Sequence, residues 1–272
     1  MANRLFLASA ACAAAFAGAA QAGDMTVAPS EPMVMAPAPM PVAPTPNLVF
    51  TLAGGVTSTP EYFGSDSYTV GPSLGFALNY VNLGALQFGS PDPYYQPEGF
   101  GLRGSFRYID ERDASDNPEL AGTIDVDATY ELGLGLGYQS RNFDAFADVR
   151  YGFGGHEEFV GEIGADVKAR PIDRLTLSAG PRVLFGTDDY AATYFSTPAT
   201  FAGGAYDADG GVISAGIELG ANYRLSENWG IEGTVSYDRF VGDAADSPIV
   251  EQGDRDQYGI TVGLIRRITL DF

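Results

Sequence analysis

The chain carries one cysteine, Cys12, and one histidine, His156, in 272 residues. Cys12 lies in an amino-terminal apolar run, so removal of that run leaves no disulfide, thiolate metal site or cysteine nucleophile. Positive charge is scarce. Fifteen Lys and Arg stand against 35 Asp and Glu, for a formal net charge of -20; that field repels a polyanion and argues against a nucleic-acid surface. After the first apolar run there is no second one of about 18 residues, so no transmembrane helix is expected. Methionine is missing beyond Met40.

Residues 1–22 read as a secretory signal: Arg4 in a positive first region, Leu5 to Ala20 apolar, and Ala20-Gln21-Ala22 as a small-x-small site that places cleavage between Ala22 and Gly23. Ser9-Ala10-Ala11 lacks the large aliphatic residue that a lipoprotein site needs before Cys12. Residues 23–46 read as a disordered periplasmic leader rich in Pro and Met. Pro29, Pro32, Pro37, Pro39, Pro41, Pro44 and Pro46 keep it extended. Its methionines, Met25, Met33, Met35 and Met40, are a donor type for Cu(I), but a disordered composition accounts for them without a metal.

What the chain has in quantity is Gly, 35 residues, and Tyr and Phe, 15 and 17. From residue 47 to 272 these fall into segments that alternate between an apolar and a polar face. In 127–139, Ala128, Tyr130, Leu132, Leu134, Leu136 and Tyr138 alternate with Asp127, Thr129, Glu131, Gly133, Gly135, Gly137 and Gln139. The segments are long enough to cross a bilayer as tilted strands, which needs about 9 to 11 residues. Tyr130, Tyr138, Tyr151, Tyr223, Trp229, Tyr237 and Tyr258 sit near segment ends, where a barrel carries aromatic girdles. The fold expected is an all-β transmembrane antiparallel barrel of the Gram-negative outer-membrane type. Ten strands result if the weak segment 83–89 is dropped. Twelve would need that segment and a strand hidden in 110–126. Short connections at 139–142, 170–173 and 225–228 fall on the periplasmic side and the longer ones on the other. Pro181 inside a strand predicts a bulge, and the final Phe272 resembles the assembly signal of such barrels.

Three sets of residues are candidates for chemistry. His156, in Gly154-Gly155-His156-Glu157-Glu158, is the one imidazole available to Ser65, Ser67, Ser196 or Ser247, but a lone His in an acidic glycine-rich turn reads as a solvated loop residue. Loop acids such as Asp110, Glu111, Asp113 and Asp116, or Asp243, Asp246, Glu251 and Asp254, have no EF-hand spacing and read as solvated charge. Arg103, Arg107, Arg150, Lys168, Arg182 and Arg224 share the polar faces with Glu131, Asp148, Glu162, Asp166 and Glu218. They are expected to pair across strands in a largely plugged lumen. No catalytic residue, cofactor or metal is expected.

The span from Asn47 to Phe272 resembles the MipA/OmpV family of outer-membrane proteins. The matching stretches are Pro60-Glu61-Tyr62-Phe63-Gly64-Ser65-Asp66, then Asp188-Asp189-Tyr190 with Tyr194-Phe195, then Trp229, Tyr237 to Phe240, Gly242 to Val250 and the terminal Phe272. The resemblance implies a non-enzymatic barrel of the cell outer membrane. It also implies a scaffold that joins a lytic transglycosylase to a penicillin-binding protein. Outer-membrane lipid, lipopolysaccharide and the barrel-assembly machinery would be further partners. A small diffusion channel and an outer-surface adhesin are the rival readings, with Tyr62, Tyr190, Tyr194 and Asp246 as candidate outer-loop interaction residues.

Overall fold

The computed structural model describes residues 47–82, 84, 87–89 and 98–271. The signal with its Ala22 and Gly23 cleavage site, the leader of residues 23–46, and Phe272 lie outside the described residues. Ten long strands and one short one follow in sequence: β1 (Leu48–Pro60), β2 (Tyr68–Asn82), β3 (Gln87–Gly89), β4 (Gly99–Ile109), β5 (Thr129–Gln139), β6 (Phe143–Gly154), β7 (Phe159–Ile172), β8 (Leu175–Gly186), β9 (Gly211–Arg224), β10 (Trp229–Phe240) and β11 (Asp256–Leu270). The weak segment at 83–89 contributes only the three residues of β3, and 110–126 only one isolated bridge, Arg112 to Val126. Ten spanning strands is therefore the count among the described residues.

Every ladder is antiparallel, and apart from β3 and β4, which do not pair with each other, each strand pairs with its neighbours in sequence. The amino- and carboxy-terminal strands also pair, from Leu48 opposite Leu270 to Ser58 opposite Ile260, so the meander curls back on itself. The result is a nearly closed barrel whose seam lies between β2–β3 and β4. The long strands run 11 to 15 residues, enough to cross a bilayer at a tilt.

The alternating faces sort as the sequence predicts. Leu74, Phe76, Phe100, Leu134 and Val167 point away from the barrel and are 65% to 86% exposed. An apolar belt of this kind has lipid as its solvent. Aromatic pairs edge the belt. At the long-loop end stand Tyr108 with Tyr130 and Tyr237 with Tyr258; at the short-turn end Phe100 stands against Tyr138.

Pro181 departs from expectation. The register of β7 against β8 is the same on both sides of it, from Gly164 opposite Arg182 to Val167 opposite Ala179, and only the intervening ladder pairs are missing. The proline lacks an N–H to donate, so it costs the ladder local bonds and does not insert a bulge residue.

The inner face is crossed by ion pairs, most between neighbouring strands and one that spans β5. Arg182 of β8 reaches Asp166 of β7 at 3.0 Å and Glu218 of β9 at 2.8 Å. Arg103 of β4 meets Asp148 of β6 at 3.3 Å, and Lys168 meets Asp144. Phe146 of β6 also points inward, its ring between the guanidiniums of Arg103 and Arg182 at 4.1 and 5.2 Å. Gly164 makes room for it, since a Cβ there would come within 2.6 Å of the ring. Its even position among Asp144, Asp148 and Arg150 marks Phe146 as an aromatic side chain on the inward, mostly charged face.

Candidate functional site

The long loops do not stand away from the barrel. They fold together over its loop end as a cap built on three helices, α1 (Asp188–Phe195), α2 (Gly242–Asp246) and α3 (Pro248–Gln252). α1 starts because Thr187 Oγ1 accepts from the Tyr190 N–H at 3.2 Å, and Asp188 and Asp189 oppose the positive end of the helix dipole. A residue from another loop closes its far end. Arg112 donates from Nη1 to the Tyr194 carbonyl at 2.7 Å and from Nη2 to the Thr193 carbonyl at 3.3 Å, putting a cation where the last carbonyls point. Burial lowers the pKa of that guanidinium.

The three stretches that carry the family resemblance meet in the core of this cap. Phe63 lies edge-on to Tyr194 at 4.9 Å, stacked on Phe195 at 6.0 Å and edge-on to Phe240 at 6.1 Å. Ala244, Ala245 and Val250 join the same cluster. Ser247 ties the pieces together by donating to the Phe195 carbonyl at 2.6 Å. Gln257 donates to the Ser65 carbonyl at 3.2 Å and accepts from the Gly64 N–H at 3.3 Å. Gly64 has a positive φ of 94°, and a Cβ on it would press into Val250.

This arrangement corrects the placement expected for the tyrosines. Tyr62, Tyr190 and Tyr194 are buried in the cap, with Tyr190 wholly enclosed; of the four candidate outer-loop residues only Asp246 stays exposed. Burial raises the phenol pKa of Tyr190. Burial does the same for Tyr62, helped by its hydrogen bond to Glu119 at 3.0 Å. The loops turn inward because large aromatic side chains gain more from each other than from water.

His156 is likewise not a solvated loop residue. It is 3% exposed, with its ring edge-on to Tyr190 at 5.0 Å and Tyr194 at 5.6 Å. Nδ1 accepts from the Glu158 N–H at 3.3 Å, which leaves Nε2 to donate to Glu131 Oε1 at 3.2 Å. Both ring nitrogens are thus engaged. Ser65, Ser196 and Ser247 are bonded to backbone groups of the cap, Ser65 from Ser67 N, Ser196 from Ala208 N and Ser247 to Phe195 O. None of these bonds joins a serine to the imidazole. Glu131 carries the load below: its other oxygen accepts from Arg150 Nε at 2.7 Å, and Arg150 Nη1 reaches Glu162 at 2.8 Å and Ser105 at 3.1 Å.

Gly152 lies opposite Glu131 in the ladder, and a side chain there would run into the His156 ring. Gly152→Ala should therefore lower stability by about 1–3 kcal/mol, measured as a shift of the unfolding midpoint in detergent. A change below about 0.5 kcal/mol, the scale of an indifferent surface substitution, would mean that the ring has another place to go.

Between cap and ion pairs lies a cavity of about 350 Å3, lined among others by Phe63, Tyr194, Phe240, Arg107, Arg182 and Asp238. Sequence reasoning placed Arg107 on an inner face but missed its company, and it missed Arg112 as the clamp on α1. No local pattern signals either, because their partners lie on distant loops.

A family model described as MltA-interacting protein MipA matches residues 52–268. The outer membrane protein Omp26La of Vibrio anguillarum is 29% identical over 188 residues, which are 67% of this chain and 65% of that protein's length. Among solved structures, the NanC porin overlaps with a TM-score of 0.39 at 8% identity, covering 81% of this chain and all of that one. The outer membrane protein OprG from Pseudomonas aeruginosa overlaps with a TM-score of 0.28 at 12% identity, covering 82% of this chain and 97% of that one.

Proposed function

The chain belongs to the MltA-interacting protein MipA family, and from that premise we propose that it is a non-enzymatic outer-membrane barrel serving as a scaffold for murein-synthesising or murein-remodelling enzymes. The observation that carries this reading is how much of the loop-end lumen is filled by side chains. The cap core and the Glu131–Arg150–Glu162 network occupy the interior that a diffusion channel would leave to water. The family name supplies the class of partner, a lytic transglycosylase, and a penicillin-binding protein is the second enzyme such a scaffold would hold. Two regions could present the contact. The leader of residues 23–46, at about 3.1 Å per residue, would reach roughly 70 Å into the periplasm. The short turns of the barrel carry Arg141 and Arg174, and Arg266 of β11 lies over the Trp229 ring near the same end.

The test is an affinity pull-down from detergent-solubilised envelopes with the mature chain, intact and lacking residues 24–46, together with conductance of the pure protein in planar bilayers. Recovery of murein enzymes by the intact chain and a silent bilayer are the expected results. Their loss with the shortened chain would put the contact on the leader, and their retention would put it on the turns. Failure of both forms to recover any murein enzyme overturns the scaffold reading, and discrete conductance steps would transfer the function to a narrow channel.

A further inference from the structure

The cavity beneath the cap contains an unusual pair of charges. Its other charged groups are mostly satisfied: Arg182 is held by Asp166 and Glu218, and Glu162 by Arg150. Arg107 from β4 and Asp238 from β10 line the same cavity, yet neither has an oppositely charged partner within 4.0 Å among the described residues. Arg107 stands opposite Glu131 in the β4–β5 ladder, and the Glu131 charge favours the guanidinium on this wall without a direct contact. Arg107 and Asp238 are both only partly buried, so each keeps polar atoms open to the cavity. A bound molecule with a charge at each end would add the direct contacts that neither makes.

Both groups are held in place. The Arg107 guanidinium lies 5.3 Å over the Phe63 ring, a cation–π contact that orients it without using its N–H donors. The Asp238 carboxylate rests against Gly216, where any Cβ would collide with it. Phe63, Tyr194, Phe240 and Leu184 provide an apolar wall beside them. At the loop end the cavity is also lined by Thr59, Pro60 and Glu61 at and just after the end of β1 and by Tyr108, Ile109 and Asp110 at and just after the end of β4. A volume of about 350 Å3 falls at the small end of ligand pockets and suits a molecule no larger than a dipeptide.

We infer that this cavity binds a small zwitterionic solute of amino-acid or dipeptide size. Its carboxylate would lie on Arg107, its ammonium group on Asp238, and an apolar side chain against the aromatic wall. A planar guanidinium takes a carboxylate with two parallel hydrogen bonds, and an ionised Asp is acceptor-only, matched to an ammonium. The inference stands on the cavity and does not depend on the scaffold role.

The experiment is isothermal titration of the full detergent-solubilised chain with the dipeptide Ala-Phe, with its N-acetyl form and with its C-terminal amide. Ala-Phe is expected to bind, and removal of either ligand charge should weaken binding about tenfold or more, as for the loss of one charged hydrogen-bonded contact. Arg107→Gln should weaken Ala-Phe to a similar extent without further weakening the amide. Asp238→Asn should weaken Ala-Phe without further weakening the N-acetyl form. Absence of Ala-Phe binding to the unaltered protein, or equal binding of its three forms, would overturn the proposal even if a variant failed to fold. So would variant effects that do not follow the missing ligand charge.

Discussion

Replacing Arg150 with Met should lower the stability of the folded barrel by about 3–5 kcal/mol, seen as a lower urea midpoint for the detergent-bound protein. The arginine side chain is 3% exposed and that of Glu131 is not exposed at all, so water cannot take over the missing contacts. One guanidinium answers two carboxylates from adjacent strands, Glu131 at 2.7 Å and Glu162 at 2.8 Å. Among the described residues its removal leaves Glu131 hydrogen-bonded to one side chain, His156, with the Arg107 charge opposite it in the ladder but not in contact. Breaking one side of a buried pair costs more than the pair contributes, because the remaining charge stays desolvated. The double change Arg150→Met with Glu131→Gln should therefore recover part of the loss. A single variant within about 0.5 kcal/mol of the parent, as for an exposed position, would show that the lumen is solvated at this depth and would sink the description of the barrel interior as a polar core.

Phe195→Ala should have an effect of similar size, about 3–5 kcal/mol for a buried aromatic truncation, but in a different place. Phe195 is fully buried and touches Phe63 and Phe240. Its loss removes the common neighbour of three loops. The cap helices have eight, five and five residues, too short to persist without tertiary contacts. The strands below keep their ladders. Amide hydrogen exchange should accordingly speed up by about a hundredfold or more in α1, α2 and α3, with little change in β5 to β9. A uniform increase throughout the chain would show that cap and barrel open as one unit, and the cap would then not be a separable plug.

Much of the barrel was legible in the residues. The alternation of Tyr130, Leu132, Leu134 and Leu136 with Thr129, Glu131, Gly133 and Gly135 defines strand and face at once, because the side-chain period of a strand is two and one face meets lipid. Loop asymmetry and aromatic belts follow from the same local spacing. Pro181 was misjudged because a proline can cost a ladder its bonds without shifting the register on either side. His156 was misjudged for a deeper reason. Its neighbours Gly154, Gly155, Glu157 and Glu158 describe an exposed turn, and what buries it is Tyr190 and Tyr194 from a helix more than thirty positions away.

By itself, then, the sequence determined the strands, their inner and outer faces, which end carries the long loops, and which charges turn inward. Each of these is set by a residue and its neighbours a few places along the chain. Only the tertiary structure decided which inward charges pair and which, like Arg107 and Asp238, do not. It also decided that the loops fold back to roof the lumen. The cap is joined by contacts such as Gly64 to Gln257, 193 positions apart, and Arg112 to Tyr194, 82 apart. No periodicity records contacts of that kind, because they exist only after barrel closure has brought the loop ends together and excluded water from between them.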